Sequence, residues 1–390
     1  MGEGSKNHGH LAEVASLCLL RAYLDEPEAW YSHHYRYAIS IMNEIVTGTP
    51  LQKSRTELQD LQKVTSTFLT SINSSFVDFF PQLNYLPKWF RFWRPHWEKM
   101  GAFHYDIFSH WWAEMKPLRV LKSKPSFIRN AFLENYSGTE EQAMYITMLA
   151  LTAGADNPRM AMNAWVMACL AYPTTMQQAQ DELERVCGAN AHRLPSLDDL
   201  PSLPYMCAVV KEVLRWRPTV PLVPQRVLVK DLEFEGYRFP AGTEFLVNAI
   251  SVCADGYNKP AEFHPERWLG SEEWGAGIEQ DLWQFAFNAG RRSCVGYKLA
   301  QKELFVAFAR LLYCFDFYPP SDFDDKELNA FEPGEPFPDN VEGGVFLQVY
   351  PPPGGEAFRH CVGWVRDTNG GIELNANNST LAYYGYYRLL

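Results

Sequence analysis

Apolar residues recur at helical spacing along most of the chain. The first such stretch holds Leu11, Val14, Cys18 and Ala22. Because these residues are three or four positions apart, they share one face of a helix. The acidic, proline-containing run at 25–28 is typical of one helix ending and another beginning. The same periodicity predicts further helices over residues 30–45, 54–76, 139–171, 174–189, 198–217 and 297–312.

Short extended segments lie between the last two predicted helices and after the final one. The prolines of the run 219–227 demand extended backbone, and alternating residues around turns predict short strands. These strand-like pieces are at 232–234, 236–238, 246–247, 315–318 and 344–350. The pattern therefore predicts a mainly α fold with small β-sheets.

The charge balance argues against one broad class of function. The formal net charge is -11 and the isoelectric point is about 5.4, so no basic footprint for a nucleic acid stands out.

The eight cysteines are scattered without a C-x-x-C pair, which argues against a zinc ribbon or a small disulfide scaffold. Buried free thiols in a reducing compartment are the simpler interpretation.

No signal peptide or membrane span is evident in the sequence. The most apolar stretch, 143–171, is interrupted by polar residues from Asp156 onward, which makes it a poor bilayer helix. Residues 77–94 instead interleave dense aromatic side chains with lysine and arginine. This composition suits a membrane interface, with rings buried and cations at the headgroups. It suits equally a lid whose rings pack on the protein over a substrate channel.

One stretch late in the chain carries a distinctive chemistry. Cys294 lies three residues before the predicted helix 297–312, and the dipole at such a helix start stabilises a thiolate and is expected to lower the thiol pKa. Gly290 and Gly296 let the backbone approach a flat, bulky group. Arg292 can direct a rigid donor fork at a carboxylate. Such a thiolate, loop and arginine suit an iron porphyrin with propionate arms.

This stretch resembles the haem-binding signature F-x-x-G-x-R-x-C-x-G of the cytochrome P-450 family of haem-thiolate monooxygenases. The fixed positions are Phe287, Gly290, Arg292, Cys294 and Gly296. The resemblance implies that Cys294 is the axial ligand of the iron in haem b (iron protoporphyrin IX) and that the other four residues bind or shape the cofactor. The simpler alternative is a lone buried cysteine that only fills space.

A second match to the family lies in the long helix predicted over the middle of the chain. The family pattern A-G-x-[DE]-T-[TS] corresponds to residues 153–158, where the first four positions match and Asn157 replaces the usual threonine. Pro158 has no N–H, so it is expected to kink the helix and to leave the carbonyl of Gly154 without its helical partner. The resemblance implies that Asp156 and Asn157 are the catalytic pair that delivers protons at the distal face of the haem.

Two further matches concern arginines. Glu212 and Arg215 are one helical turn apart and by themselves indicate an ordinary surface ion pair. Together with Arg267 in the run 263–268, they resemble the family's buried Glu–Arg–Arg network, which implies a structural role beneath the haem. Arg226 matches the family arginine that pairs with a haem propionate.

The resemblance does not extend to the family's front portion. Residues 11–49 resemble the segment that follows the third major helix in fungal members, so the membrane anchor, the first sheet strands and a haem-contacting helix have no counterpart. We therefore expect a cytochrome P-450-like fold lacking its N-terminal portion. Its haem-thiolate catalytic domain is expected over 1–352. A tail over 353–390, disordered or loosely docked, is expected after the proline- and glycine-rich break at 351–355.

The implied function is hydroxylation or epoxidation of a lipophilic small molecule in fungal secondary metabolism. The expected partners are that substrate and an NADPH-dependent cytochrome reductase, which would dock on Arg291, Lys298 and Lys302. A peripheral contact with the cytoplasmic side of the endoplasmic reticulum is also expected. Two alternatives stay open. The missing threonine suits a reductase-independent isomerase, dehydratase or peroxygenase, and the missing front portion suits a truncated, non-catalytic product.

Overall fold

Helices make up most of the structure, as the hydrophobic pattern predicts. The computed structural model describes residues 8–71, 77, 80–120, 126–132, 136–188, 192–269, 285–288, 290–318, 348–350, 364–366 and 372–374. The α-helices are α1 (Gly9–Asp25), α2 (Trp30–Thr47), α3 (Arg55–Ser71), α4 (Arg94–Met115), α5 (Phe127–Phe132), α6 (Glu140–Ala171), α7 (Pro173–Cys187), α8 (Pro204–Trp216), α9 (Ala249–Ala254) and α10 (Tyr297–Cys314). Short 3-10 helices cover Pro27–Ala29, Pro81–Tyr85, Lys88–Phe90, Lys116–Val120, Leu197–Ser202, Pro265–Trp268, Phe285–Phe287 and Gly290–Arg292.

The β-structure of the described residues consists of small antiparallel pairs. The strands are β1 (Leu222–Val227), β2 (Leu232–Phe234), β3 (Tyr237–Phe239), β4 (Glu244–Asn248), β5 (Asp316–Tyr318), β6 (Gln348–Tyr350), β7 (Trp364–Arg366) and β8 (Ile372–Leu374). They pair as β1–β4, β2–β3, β5–β6 and β7–β8. The β5–β6 pair confirms the two strands predicted after the final helix. The β7–β8 pair falls within the expected tail, whose other residues lie outside the described ones.

The main core lies where α1, α2, α6 and α10 pack together. Trp165 of α6 stacks on Phe308 of α10, with ring centroids 4.8 Å apart and planes inclined by 8°. On another side of α10, the buried Arg310 donates to the Glu13 carbonyl and to the Ser16 hydroxyl, each at 2.7 Å. A buried guanidinium needs such acceptors, so Arg310 ties α10 to α1.

Helix α6 begins where the sequence predicts it. The N–H of Gln142 donates to the Thr139 hydroxyl at 3.2 Å, and the N–H of Thr139 donates to Gln142 Oε1 at 2.9 Å. This capping box satisfies two backbone donors that a helix start leaves unpaired. The helix then continues to Ala171 with Pro158 inside it.

Helices α2 and α6 approach closely at Gly154. A Cβ at this glycine would lie 2.5 Å from Met42 Sδ, so the missing side chain permits the approach. A second apolar core surrounds this contact and is formed by α2, α3, α4 and the first half of α6. Its fully buried members include Leu61, Met148 and Leu151.

Helix α8 begins later than the periodicity predicts. The residues before it form a 3-10 turn, and α8 begins at Pro204. Proline suits this first turn because the N–H that it lacks has no helical partner there. The Glu182 carboxylate of α7 caps this start by accepting from the N–H groups of Tyr205 at 3.1 Å and Met206 at 2.9 Å. The single helix predicted here is therefore two elements.

Candidate active site

The cysteine loop is folded by local backbone hydrogen bonds. The N–H of Ser293 donates to the Gly290 carbonyl at 3.2 Å, and the N–H of Cys294 donates to the Phe287 carbonyl at 2.8 Å. Gly290 has a φ of 68°, a left-handed conformation that glycine adopts without strain. Helix α10 then begins at Tyr297. The loop therefore brings together the predicted Phe287, Gly290 and Cys294.

The Cys294 sulfur stands at the start of α10. The residue as a whole is exposed, but protein surrounds much of its sulfur atom. Burial of the sulfur is the largest influence on the thiol pKa, and it raises that pKa. The N–H of Gly296 lowers this pKa, the charge of Glu303 raises it, and the N–H of Tyr297 lowers it. The lowered pKa predicted for a helix start is therefore wrong for this structure, because burial outweighs the backbone donors.

Two of the predicted site residues are arginines. Arg292 is exposed in the cysteine loop, and Arg226 is half-buried on β1 opposite Phe245. Neither guanidinium hydrogen-bonds or ion-pairs with any residue that the structure describes. The structure shows no contact between Arg226 and the described part of the cysteine loop, so the shared role of the two arginines stays a prediction.

The donor set of this region fits an iron porphyrin. An exposed cysteine at a helix start offers a metal ligand, and the N–H groups of Gly296 and Tyr297 favour its thiolate form. Guanidinium groups that have no partner among the described residues suit the carboxylates of a cofactor. A cysteine that only fills space would be buried, and Cys294 is not. The simpler alternative is therefore disfavoured.

The two predicted distal residues have different surroundings on α6. The Asp156 carboxylate accepts from Arg159 Nε at 2.8 Å, and both side chains are only 2% exposed. Asn157 Nδ2 donates to the Ala153 carbonyl at 2.9 Å, while its Oδ1 is buried with no partner among the described residues. Asn157 therefore keeps an acceptor for a ligand or a water, whereas Asp156 is held in an ion pair.

The stacked pair Trp165–Phe308 joins the helices that carry the two halves of the predicted site. Asn157 precedes Trp165 by about 12 Å along α6, and the start of α10 precedes Phe308 by about 17 Å, at about 1.5 Å per residue. Each candidate segment therefore precedes this contact along its own helix. The structure gives no direct contact between Cys294 and Asp156 or Asn157.

The predicted Glu–Arg–Arg network is present around the fully buried Glu212. Arg215 donates to the two carboxylate oxygens at 2.9 and 2.8 Å, and Arg267 Nε donates at 3.1 Å. Trp268 Nε1 adds a donor at 2.9 Å and the His264 N–H another at 2.8 Å. A buried carboxylate with five donors is well compensated, so this network fixes the segment 264–268 against α8.

Two partners in these networks are not predicted from the sequence. Trp268 follows Arg267 directly, and a tryptophan beside a buried ion pair is a detectable hint, because its N–H needs an acceptor. Arg159 lies three residues after Asp156, a spacing that places both side chains on one face of a helix. Pairs of this kind are usually exposed, so the spacing alone does not reveal a buried pair.

The predicted reductase-docking cluster is only partly exposed. Arg291 is exposed and Lys298 is half-buried, with Lys298 Nζ 5.8 Å from the centre of the Tyr297 ring. Lys302 is buried, and its side chain lies close to Gly9 of α1. Including Lys302 in that surface is therefore wrong.

The aromatic segment predicted as a membrane interface or a lid is exposed. Tyr85, Trp89 and Phe92 are 89%, 78% and 78% exposed. A shallow apolar cavity of about 410 Å³ is lined by Leu83, Leu86, Trp89, Phe90, Phe92 and Trp93. Among the helices that the structure describes, none is long and apolar enough to cross a bilayer.

One group on α3 and α4 has the spacing of a metal site. Glu57, His110 and Glu114 place one ligand atom each within 4.8 Å of one another. The Lys53 ammonium already pairs with Glu57 and Glu114 at 2.7 Å each. The cluster is therefore an ion-pair network around a lysine.

Comparison with known proteins decides the family. The family model described as Cytochrome P450 matches residues 27–333, which is more than half of the chain and includes Cys294. The chain belongs to the cytochrome P450 family. This P450 chain is similar to the cytochrome P450 monooxygenase virE of Hypocrea virens, with 27% identity over 89% of the chain. It is 29% identical over 85% of its length to fogE of Aspergillus ruber, and 31% identical over 86% to a cytochrome P450 monooxygenase of Armillaria gallica.

These relatives are longer than the P450 chain itself. The chain spans 64% of the Hypocrea virens relative, 62% of the Aspergillus ruber relative and 65% of the Armillaria gallica relative, which is a little under two thirds in each case. The family match confirms the family expected from the sequence. The helices and small antiparallel sheets of the structure confirm the expected mainly α fold.

Proposed function

We propose that this chain acts as a haem-dependent monooxygenase that hydroxylates or epoxidises a lipophilic small molecule in fungal secondary metabolism. The family match and the fungal relatives named as cytochrome P450 monooxygenases support the proposal. The observation that carries it is the exposed Cys294 at the start of α10, in a loop closed by the 2.8 Å bond to the Phe287 carbonyl.

In this proposal Cys294 ligates the iron of haem b, while Phe287 and the two loop glycines shape the loop around it. Arg292 and Arg226 bind the propionates through charge-assisted hydrogen bonds. Bound through a thiolate, the haem would supply an electron-rich iron that favours O–O cleavage. We assign this chemistry to a catalytic domain over residues 1–352.

On the distal helix α6 we assign proton delivery to Asp156 and Asn157. Asn157 Oδ1, which has no partner among the described residues, accepts a hydrogen bond from a water or from a substrate hydroxyl. An amide passes on a proton less readily than a hydroxyl does. The proton is therefore carried by the water that Asn157 holds, and Asp156 is the acid–base group of the same turn.

The Cys294→Ala variant tests the ligand assignment. The reduced parent protein under carbon monoxide should show the thiolate-type Soret band, and Cys294→Ala should abolish it because the sulfur ligand is gone. Cys18→Ala, which removes another exposed cysteine, should keep the band. Survival of the band in Cys294→Ala would remove the site assignment.

The partners follow from the same proposal. We assign electron supply to an NADPH-dependent reductase that docks near the exposed Arg291, in an otherwise acidic chain. A reductase-independent isomerase, dehydratase or peroxygenase is the second candidate, because Asn157 stands where a hydroxyl is usual. NADPH consumption that requires the reductase favours the monooxygenase, and turnover without reductase favours the alternative. A purified protein without haem would favour a non-catalytic product.

We also propose a peripheral membrane contact, on the cytoplasmic side of the endoplasmic reticulum, through the exposed aromatic segment 83–93. Exposed rings beside Lys88 and Arg91 match the arrangement in which rings enter the acyl boundary and cations meet anionic headgroups. A lipophilic substrate would reach the protein from the same phase.

A further inference from the structure

A stripe of buried polar side chains runs between α6 and α2. Asp156, Arg159 and Asn163 are three and four residues apart on α6, so they lie on one face of that helix. Arg159 donates to Asp156 and to the Tyr31 hydroxyl of α2. Four residues along, Asn163 Oδ1 accepts from His34 Nδ1 of α2 at 2.7 Å.

The Arg159 guanidinium is fixed from several directions. Its Nε donates to Asp156 at 2.8 Å, one terminal nitrogen donates to the Tyr31 hydroxyl, and its centre lies 5.2 Å from the centre of the Tyr31 ring. Arg159 and Asp156 are each 2% exposed. The planar fork of arginine suits such a two-sided contact, which a lysine ammonium cannot reproduce.

The other titratable groups that face this pair from α2 are neutral at physiological pH. Burial lowers the pKa of His34 to about 3 and raises the pKa of Tyr35 well above its usual range. The Tyr35 hydroxyl is buried without a partner among the described residues. Within this group of side chains, Arg159 therefore supplies the positive charge that compensates Asp156.

We propose that Arg159 is a positioning residue, which together with Tyr31 holds the Asp156 carboxylate on the α2 side of helix α6. In its catalytic half, the proposal says that this ion pair sets when Asp156 can exchange a proton with the distal site. That half rests on the proposed function, whereas the ion pair does not, so each can be tested separately.

The first test is the pH dependence of thermal unfolding of the full chain. In Arg159→Gln the buried carboxylate loses its counter-ion, so the folded state takes up a proton that the unfolded chain lacks. Stability should then fall as the pH rises from 5 to 8, and the apparent Tm should drop by about 5–10 °C at neutral pH. Adding Asp156→Asn should remove the extra pH slope. Parallel pH curves for the single and the double variant would overturn the pairing.

The second test measures product formed per NADPH consumed. Arg159→Gln should lower this ratio severalfold and shift its pH profile. Arg159→Lys should restore part of it, because the charge returns without the fork, and Tyr31→Phe should give a smaller loss. A ratio and a pH profile unchanged in Arg159→Gln would overturn the positioning role. A parent protein that neither binds haem nor consumes NADPH would overturn the proposed function and with it the catalytic half of this proposal. The pH dependence of thermal unfolding would still test the ion pair.

Discussion

At the scale of single residues, the buried polar groups show which protonation states the core accepts. The Asn163 oxygen can only accept, so His34 Nδ1 carries the hydrogen and His34 Nε2 accepts from the Tyr23 hydroxyl. A second proton on the ring would turn Nε2 into a donor. The Tyr23 hydroxyl would then need another acceptor in a fully buried site. The core therefore selects neutral His34.

His34 should make the protein sensitive to acid. Burial lowers its pKa from 6.5 to about 3, so between these values the unfolded chain binds more protons than the folded one, and stability is lost as the pH falls below about 6.5. The loss is at most about 5 kcal/mol. Urea midpoints measured from pH 7 to pH 4 should fall less steeply for His34→Gln than for the parent. His33→Gln, a change at a half-buried neighbour, should keep the parent's slope, and equal slopes for all three proteins would contradict the assignment.

At the scale of elements, the contact between α2 and α6 leaves no free space for a side chain at Gly154, so an added atom would have to displace the Met42 side chain. In Gly154→Ala the new methyl group would lie 2.5 Å from Met42 Sδ and 2.7 Å from Met42 Cε. We expect a loss of about 1–3 kcal/mol in the free energy of unfolding, measured by urea denaturation. The double variant Gly154→Ala/Met42→Ala removes the Met42 side chain that the new methyl group would meet. Its loss in the free energy of unfolding should be smaller than the sum of the losses in the two single variants.

The same change in helix α4 provides a matched control. Gly101 is exposed and has nothing within 4 Å of its Cβ position. Because alanine favours a helix over glycine, Gly101→Ala should stabilise the protein by up to about 1 kcal/mol. If both substitutions shift the urea midpoint in the same direction, the close approach at Gly154 is not what limits that position.

The elements themselves are largely predictable from the sequence. The start of α6 follows from the capping box at Thr139, and the Cys294 loop follows from its motif. The burial of individual polar side chains is not predictable in this way. Lys302 belongs to a cationic cluster that the sequence predicts to be solvated, yet it is buried and lies close to Gly9 of α1. Arg159 is likewise buried, in contact with Tyr31 of α2.

At the scale of the whole molecule, the exposed aromatic segment should anchor the protein to lipid. Replacing Trp89 and Phe92 by serine should weaken sedimentation with vesicles of phosphatidylcholine and phosphatidylserine at least tenfold, because each ring carries a large apolar area. Phe234→Ser removes another exposed ring, on β2, and should leave binding unchanged. If the Trp89/Phe92 variant binds vesicles normally but loses affinity for its substrate, the segment is a lid over the channel.

The bonds that tie α10 to the first two helices connect distant parts of the chain. Arg310 reaches Glu13 across 297 residues and Tyr37 reaches the Glu303 carbonyl across 266 residues. During synthesis, α1 and α2 therefore cannot form these contacts until α10 has left the ribosome, and their apolar faces stay exposed until then. Contacts of such long range form slowly. Since α10 follows directly on the cysteine loop, we expect the core to close and that loop to become ordered in one late folding event, before which the chain depends on chaperones.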